Sequence, residues 1–318
     1  MEPLVEPLDV RPQANAQQAV RRWLLRGLAA LWLLDGVLQL QPGMFTRALL
    51  TAVWQPATVG QPVWLATLMG ATMRLAAHDI ATFNAAIVAV QLGLGCLLLT
   101  RRPGWVRIGL WGSLGFSVLL WVCAQGMGQV LTGSATLLTG APGSAAVYAA
   151  IALLLLLPEA AWGQPDLPAR VGGGFLLLGA LLQLSPSFWT PLGLAQPFGE
   201  AFMMPQPAGL RAAIGVVVNL AGAWPLALNA ALVLGFAAAG IAALLAPQAP
   251  RLWAVLVLLG LVWVFGQDAG MLWSGMATDP NTAPALFLLV LAPAGARTSR
   301  GRAPVRTAER HALRPSPR

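Results

Sequence analysis

The sequence contains no lysine: all 19 basic residues are arginine, set against 11 acidic ones. Together with the abundant Ala, Gly and Pro, this points to a GC-rich genome rather than to a special chemistry. Charged residues make up 9% of the chain, where a soluble domain carries about a quarter, and that excludes an ordinary soluble protein. The two cysteines, Cys96 and Cys123, belong to no CxxC pair and support no disulfide framework. With only His78 and His311, one chain builds neither a His-rich metal centre nor a bis-His haem site. A phosphate loop, a dinucleotide fingerprint and a nucleophile elbow are all missing. No acid, base and nucleophile set for an enzyme assembles from the motifs, and none of them calls for a cofactor.

What is present is apolar. Hydrophobic residues form 57% of the chain and the mean hydropathy is +0.70, the composition of an integral membrane protein. The chain also contains one stretch twice. WVCAQGMGQVLTGSAT, Trp121 to Thr136, returns 142 residues later as WVFGQDAGMLWSGMAT, Trp263 to Thr278, with seven of sixteen positions identical. LQLQP at Leu38 returns as LQLSP at Leu182, and FNAA, containing Asn84, returns as LNAA, containing Asn229. Diverged landmarks in a fixed order indicate a tandem duplication.

A spanning helix needs about 20 mostly apolar residues. Trp23–Leu40, Ile80–Thr100, Val106–Ala124 and Pro225–Ala246 qualify, and four shorter segments, Ser144–Pro158, Val171–Leu184, Leu252–Gly266 and Thr282–Ala296, match or pair with them. The expected fold is therefore all-α: a polytopic membrane helix bundle of about eight transmembrane helices, arranged as two parallel four-helix repeats. Residues 1–22 are expected as a flexible cytoplasmic tail, 23–162 and 163–296 as the repeats, and 297–318 as a basic, disordered cytoplasmic tail.

Starting from the cytoplasm, eight spans place 16 arginines inside and only Arg47, Arg74 and Arg211 outside, as the positive-inside rule requires. Both termini are then cytoplasmic, in the inner (plasma) membrane of a bacterium. Trp23, Trp105, Trp162 and Trp253 fall at the inner interface, and Trp121, Trp189, Trp224 and Trp273 at the outer one. The interrupted stretches 45–77 and 189–222 read as interfacial helices and loops on the outer face; the alternative is one further embedded helix in each.

The polar residues gather on that outer side. Asp35 and Gln39, at i and i+4, share one face of the first span. His78 and Asp79 cap the second span with Asn84 just inside it, and Gln125 closes the third. Asn229, Gln267 and Asp268 take the corresponding heights in the second copy, whereas Gly179 replaces Asp35 and Ala223 replaces His78. An intramembrane carboxylate is expensive and faces a bundle interior or a wet cavity. Asp35 is thus the leading binding residue, against the alternative that it holds helices together. Gln125 and Gln267 read first as helix-closing or cross-bundle groups, and Gly93 and Gly95 as sites of close helix contact. The partner expected for the basic tail is anionic lipid of the inner leaflet rather than nucleic acid.

The run FNAAIVAVQLGLGCLLLTRRPGWVRIGLWGSL, with LLDGVLQLQPGMF before it, resembles the middle and first helix of DoxX-like four-helix membrane proteins. The likeness covers about 100 residues of the first half and extends more weakly to the second. An acidic residue common in that family's second helix has no counterpart, the nearest polar positions being Asn84 and Gln91. The resemblance implies a tie to quinone-coupled sulfur oxidation and related membrane redox complexes. On that basis the chain is expected to be a non-catalytic membrane subunit or binding module. It would present an outer pocket around Asp35 to a lipid-soluble ligand such as a quinone, to a membrane protein partner or to a second copy of itself. A small-molecule transporter with its site between the repeats is the alternative.

Overall fold

A computed structural model describes residues 11–245 and 249–298, and among these there is no strand. Eleven α-helices follow one another: α1 (Arg11–Leu38), α2 (Val63–His78), α3 (Ile80–Leu99), α4 (Pro103–Cys123), α5 (Ser144–Leu156), α6 (Leu167–Gln183), α7 (Pro191–Met203), α8 (Ala208–Ala223), α9 (Pro225–Leu245), α10 (Ala249–Leu261) and α11 (Thr282–Thr298). Prolines start several of them. Pro103, Pro168, Pro191 and Pro225 stand in the first turns of α4, α6, α7 and α9, where the missing N–H costs nothing and the fixed φ suits a helix. α3 starts differently: Asp79 accepts the Thr82 amide at 3.1 Å and the Thr82 hydroxyl at 2.7 Å, an N-cap that holds its carboxyl below the usual range.

Among the described residues three helices, α3, α4 and α9, are long and apolar enough to cross a membrane. The other expected spans are also helical, though α5, α6, Trp253–Gly266 and Thr282–Pro293 are shorter apolar stretches. Many large apolar side chains face outward, among them Trp111, Leu119, Leu234 and Val257, which suits a lipid-facing wall better than water.

α1 packs on α3 and α11, and α6 packs on α9 and α11, with α4 against α5 and α10 against α9 and α11. The core between them buries Leu24, Leu28 and Trp32 of α1 with Tyr148 and Ile151 of α5, Leu176 of α6 and Leu289 of α11. At the α6–α9 crossing two glycine backbones touch, and a Cβ on Gly173 would come within 2.8 Å of the Gly240 carbonyl oxygen. Gly95 likewise lets α3 press on Leu33 and the Ala29 carbonyl, but Gly93 faces open space and makes no such contact.

Several expectations are revised. Residues 11–22 are not a flexible tail but the first turns of α1. Val20 is fully buried, Gln17 donates to the Glu159 carbonyl at 3.2 Å, and Arg21 donates to the Leu155 and Leu157 carbonyls at 2.6 and 3.1 Å, closing the end of α5. The arginine also lies over the Trp162 ring, 5.0 Å from its centre. Trp162 is consequently buried rather than part of an interfacial belt. Residues 1–10 and 299–318 of the expected tails lie outside the described residues. The stretches 45–77 and 189–222 are mostly helical: a π-helical turn Leu49–Trp54 with α2 in the first, α7 with α8 in the second. α2 and α8 are both 16 residues long, and each follows a Gln-Pro pair, Gln61-Pro62 and Gln206-Pro207.

Candidate functional site

Asp35 is buried where α1 passes α5. Trp32, one turn earlier on the same face, is fixed by its indole N–H donating to the Ser113 hydroxyl at 2.9 Å. Its ring meets Tyr148 edge-on with centroids 5.1 Å apart, and the Tyr148 hydroxyl donates to Asp35 Oδ1 at 3.3 Å. A buried aromatic pair thus sets the carboxyl at the floor of a cleft that opens to the same end of the bundle as Gln125 and Gln267.

The cleft contains about 510 Å³ of empty space, counted out to its open mouth. Asp35 of α1, Gln39 just past its end, Gln91 of α3, Gln125 after α4, Ser144 and Tyr148 of α5, and Thr278 and Asp279 from the loop before α11 supply its polar groups. Val53, Trp54, Ile87 and Leu120 form an apolar wall. Asp279 accepts from the Asn281 amide at 2.8 Å and from the Thr278 hydroxyl at 3.0 Å. Burial pushes its carboxyl above the ordinary range, against the hydrogen bonds from Ser144, the Asn281 amide and Thr278. Among the described residues the one ion pair is Arg170–Asp166, so neither cleft carboxylate has a basic partner there.

The loops that shape this end are built the same way twice. Gly126, Met127, Gly128 and Gln129 all have φ between +53° and +63°, and Asp268, Ala269, Gly270 and Met271 between +47° and +73°. Each set is a left-handed turn, costing roughly 1–2 kcal/mol for each residue with a Cβ. Glycine is obligatory at the centre: a Cβ on Gly128 would collide with the Pro142 carbonyl and one on Gly270 with Pro280. Trp121 and Trp263 pin these turns by donating to the Pro142 and Pro280 carbonyls at 2.7 and 2.9 Å. Gln125 Oε1 then accepts the Ala145 amide at the start of α5, and Gln267 Oε1 the Ala283 amide at the start of α11. The two glutamines therefore cap the helices that follow them, rather than closing the ends of their own.

The polar groups one level deeper differ between the halves. Asn84 donates to the Gln39 carbonyl at 2.9 Å, and Asn229 to the Gln183 carbonyl at 3.3 Å. Around Gln183 the network is closed: Thr136 donates to Gln183 Oε1 at 2.5 Å, and Gln183 Nε2 donates to Asn229 Oδ1 at 2.7 Å. Around Gln39 it is open, with Gln39 Oε1, Asn84 Oδ1 and Gln91 Oε1 buried and without a partner. The side chains that fill the closed side are apolar. Phe236, seven residues after Asn229 as Gln91 is after Asn84, is fully buried, and Leu137 packs against Gly179.

Of the residues singled out in the sequence, Asp35, Gln39 and Gln125 line the cleft and Asn84 supports it. Asn229 and Gln267 belong to the closed side. His78 and Asp79 are exposed and line no part of the cleft, because α2 ends there and their side chains face outward. Asp268 is buried with both carboxylate oxygens unpartnered, away from the cleft. Sequence reasoning missed Asp279, Tyr148, Ser144 and Thr278 as site residues and left Gln91 outside the cluster. Asp279 directly follows the second repeated stretch, and Tyr148 is the single tyrosine of the chain, in an aliphatic run; both were visible signals. No family model matches the chain, and neither does any curated protein or solved structure.

Proposed function

We propose that this chain is a non-catalytic, multi-pass membrane binding protein whose cleft around Asp35 and Asp279 takes a small molecule from the outer face. The observation that carries this is the asymmetry between the two polar sites. One set of related residues forms a closed hydrogen-bond network packed with Phe236 and Leu137, while the other leaves three buried oxygens unpartnered beside two carboxyls and an open mouth. Buried polar groups are hydrogen-bonded as a rule, and exceptions call for an occupant or a function.

In this reading the helices form two parallel repeats of four spans each, both termini are cytoplasmic and the membrane is the bacterial inner membrane. The recurring Trp-to-proline and Gln-to-amide bonds support the duplication. The arginine distribution supports the orientation. The likeness to DoxX-like proteins supports a subunit of a larger membrane assembly. Transport is less well supported, since beneath Asp35 the bundle is closed by Trp32, Tyr148, Leu28 and Ile151, all fully buried.

Mass spectrometry of material copurifying in lipid nanodiscs, comparing the native chain with Asp35→Asn, tests the binding role. A defined small molecule lost in the variant is expected; bulk lipid alone from both proteins would leave Asp35 as a structural group. For orientation, single cysteines replace Ser134 and Gly104 in a background without Cys96 and Cys123. Both positions are exposed, and a side chain at 104 meets nothing within 4 Å. In intact cells an impermeant thiol reagent should label position 134 and spare 104, and the opposite pattern would reverse the topology.

A further inference from the structure

The cleft's chemistry narrows what it takes. Its strongest groups only accept: the carboxylates of Asp35 and Asp279 have no N–H or O–H to give when ionised. Gln39 and Gln91 are 4% and 2% exposed, line the cleft, and each leaves its Oε1 without a donor. The hydroxyl donors and the Gln125 amide are already engaged, which leaves the Nε2 groups of Gln39 and Gln91 as the free donors, neither of them charged. Tyr148 donates to Asp35, Thr278 to Asp279, and Gln125 Nε2 to the Ser144 hydroxyl at 2.8 Å. Among the described residues no arginine lines the cleft. An anion placed there would meet like charge and unfilled lone pairs, and a neutral apolar molecule would leave buried oxygens unsatisfied.

Resting on the binding role proposed above, we infer that the ligand is a primary amine, its ammonium held by Asp35, Asp279 and the amide oxygens of Gln39 and Gln91. An ammonium brings three N–H donors and one positive charge, matching two carboxyls without a basic partner among the described residues and two unpartnered amide oxygens. The remaining wall, Val53, Trp54, Ile87 and Leu120, is apolar and takes the carbon body. Trp54 is held edge-on to Phe83 with ring centroids 5.7 Å apart. The second half builds no such site, because Gly179 stands in place of Asp35 and Phe236 in place of Gln91.

Three probes of one carbon skeleton test this. Butylamine, butanol and butyrate are titrated at constant ionic strength into the full chain in nanodiscs, with the thermal midpoint as readout and sodium chloride as a fourth arm. Butylamine alone should give a saturable upward shift, lost in Asp279→Asn and in Gln91→Phe, the latter copying the residue of the closed side. An equal shift with butanol or butyrate, or one surviving both variants, overturns the inference. So does the same shift with sodium chloride, which would identify an inorganic cation.

Should Gln91→Phe fail to accumulate, Asp279→Asn carries the comparison. A second measurement separates this inference from the binding role. In a background lacking Cys96 and Cys123, Ala124→Cys places a thiol on the cleft lining. Cationic aminoethyl methanethiosulfonate should modify it at least tenfold faster than anionic sulfonatoethyl methanethiosulfonate, and Asp279→Asn should shrink that ratio. Equal fast rates would overturn the amine and leave a cleft, whereas no reaction with either reagent would overturn the cleft itself.

Discussion

Leu137 packs against Gly179 so closely that a Cβ on the glycine would stand 3.2 Å from the leucine side chain. In the duplication proposed above the glycine takes the position of Asp35, three residues before the LQL motif in each case, so the pair marks where a second cleft is filled. Loop length explains the difference. Between Gln125 and Ser144 the chain has 18 residues, between Gln267 and Thr282 only 14. The longer loop folds a short turn, Leu137–Thr139, into the second half, where Leu137 and Leu138 are both buried. The shorter loop has no such turn to insert and leaves Asp279 at an open site.

Leu137→Ala should therefore be costly. Removing a fully buried leucine beside a glycine leaves a void that neighbouring backbone cannot close, for which about 2–5 kcal/mol is typical. Thermal unfolding in nanodiscs should show a large drop for this variant and little change for Leu131→Ala, an exposed position on the same loop. Equal small effects would mean that the turn is not a plug.

Tyr148→Phe isolates the hydrogen bond at the cleft floor. The ring stays against Trp32, so packing is kept, and what disappears is the O–H donated to Asp35. A loss of about 1–3 kcal/mol is expected, because the carboxyl is left without its donor. Combined with Asp35→Asn, the two changes should cost less than their sum, as residues in contact do. Additive losses would show that the bond contributes nothing.

Much of this bundle was legible from residue order. Apolar runs located the helices, and the paired landmarks located Gln125, Gln267, Asn84 and Asn229 at matching heights. Asp35 and Gln39 were placed together by i, i+4 spacing and do share the cleft. What stayed hidden depends on contacts between distant segments. Asp279 reaches a site made mainly by the first half, 244 residues after Asp35, and no local pattern encodes that crossing. The helical start at Arg11 has no local signal, because its support comes from Glu159 and the end of α5, not from its own polar sequence. His78 looked like a cleft residue by proximity to Asn84, but the break at Asp79 turns it outward.

The left-handed turns give a test of backbone constraint. At position 128 the chain has φ +63° and a Cβ would meet the Pro142 carbonyl, whereas at Gly104 φ is helical and nothing lies within 4 Å. Gly128→Ala should sharply reduce accumulation and thermal stability. Gly104→Ala should be neutral or slightly stabilising, since alanine restricts the unfolded chain. Comparable stability of the two variants would show that the turn is not formed as described.

Asp268 makes a pH-dependent prediction. Its carboxyl is buried, both oxygens lack partners, and burial raises it to about 6. The unfolded chain releases the same proton near pH 4, so the folded protein binds it more tightly. Stability from this group must then rise as pH falls from about 6 toward 4, and above about 6 the cost of the buried charge is fully present. Asp268→Asn keeps the shape and the tolerance for positive φ while removing the charge. The variant should therefore unfold at a higher temperature than the native chain at pH 8, with the gap closing as pH drops through 6 and gone near pH 4. Parallel profiles across that range would mean that Asp268 is ionised at no cost, through a partner acquired outside the described residues.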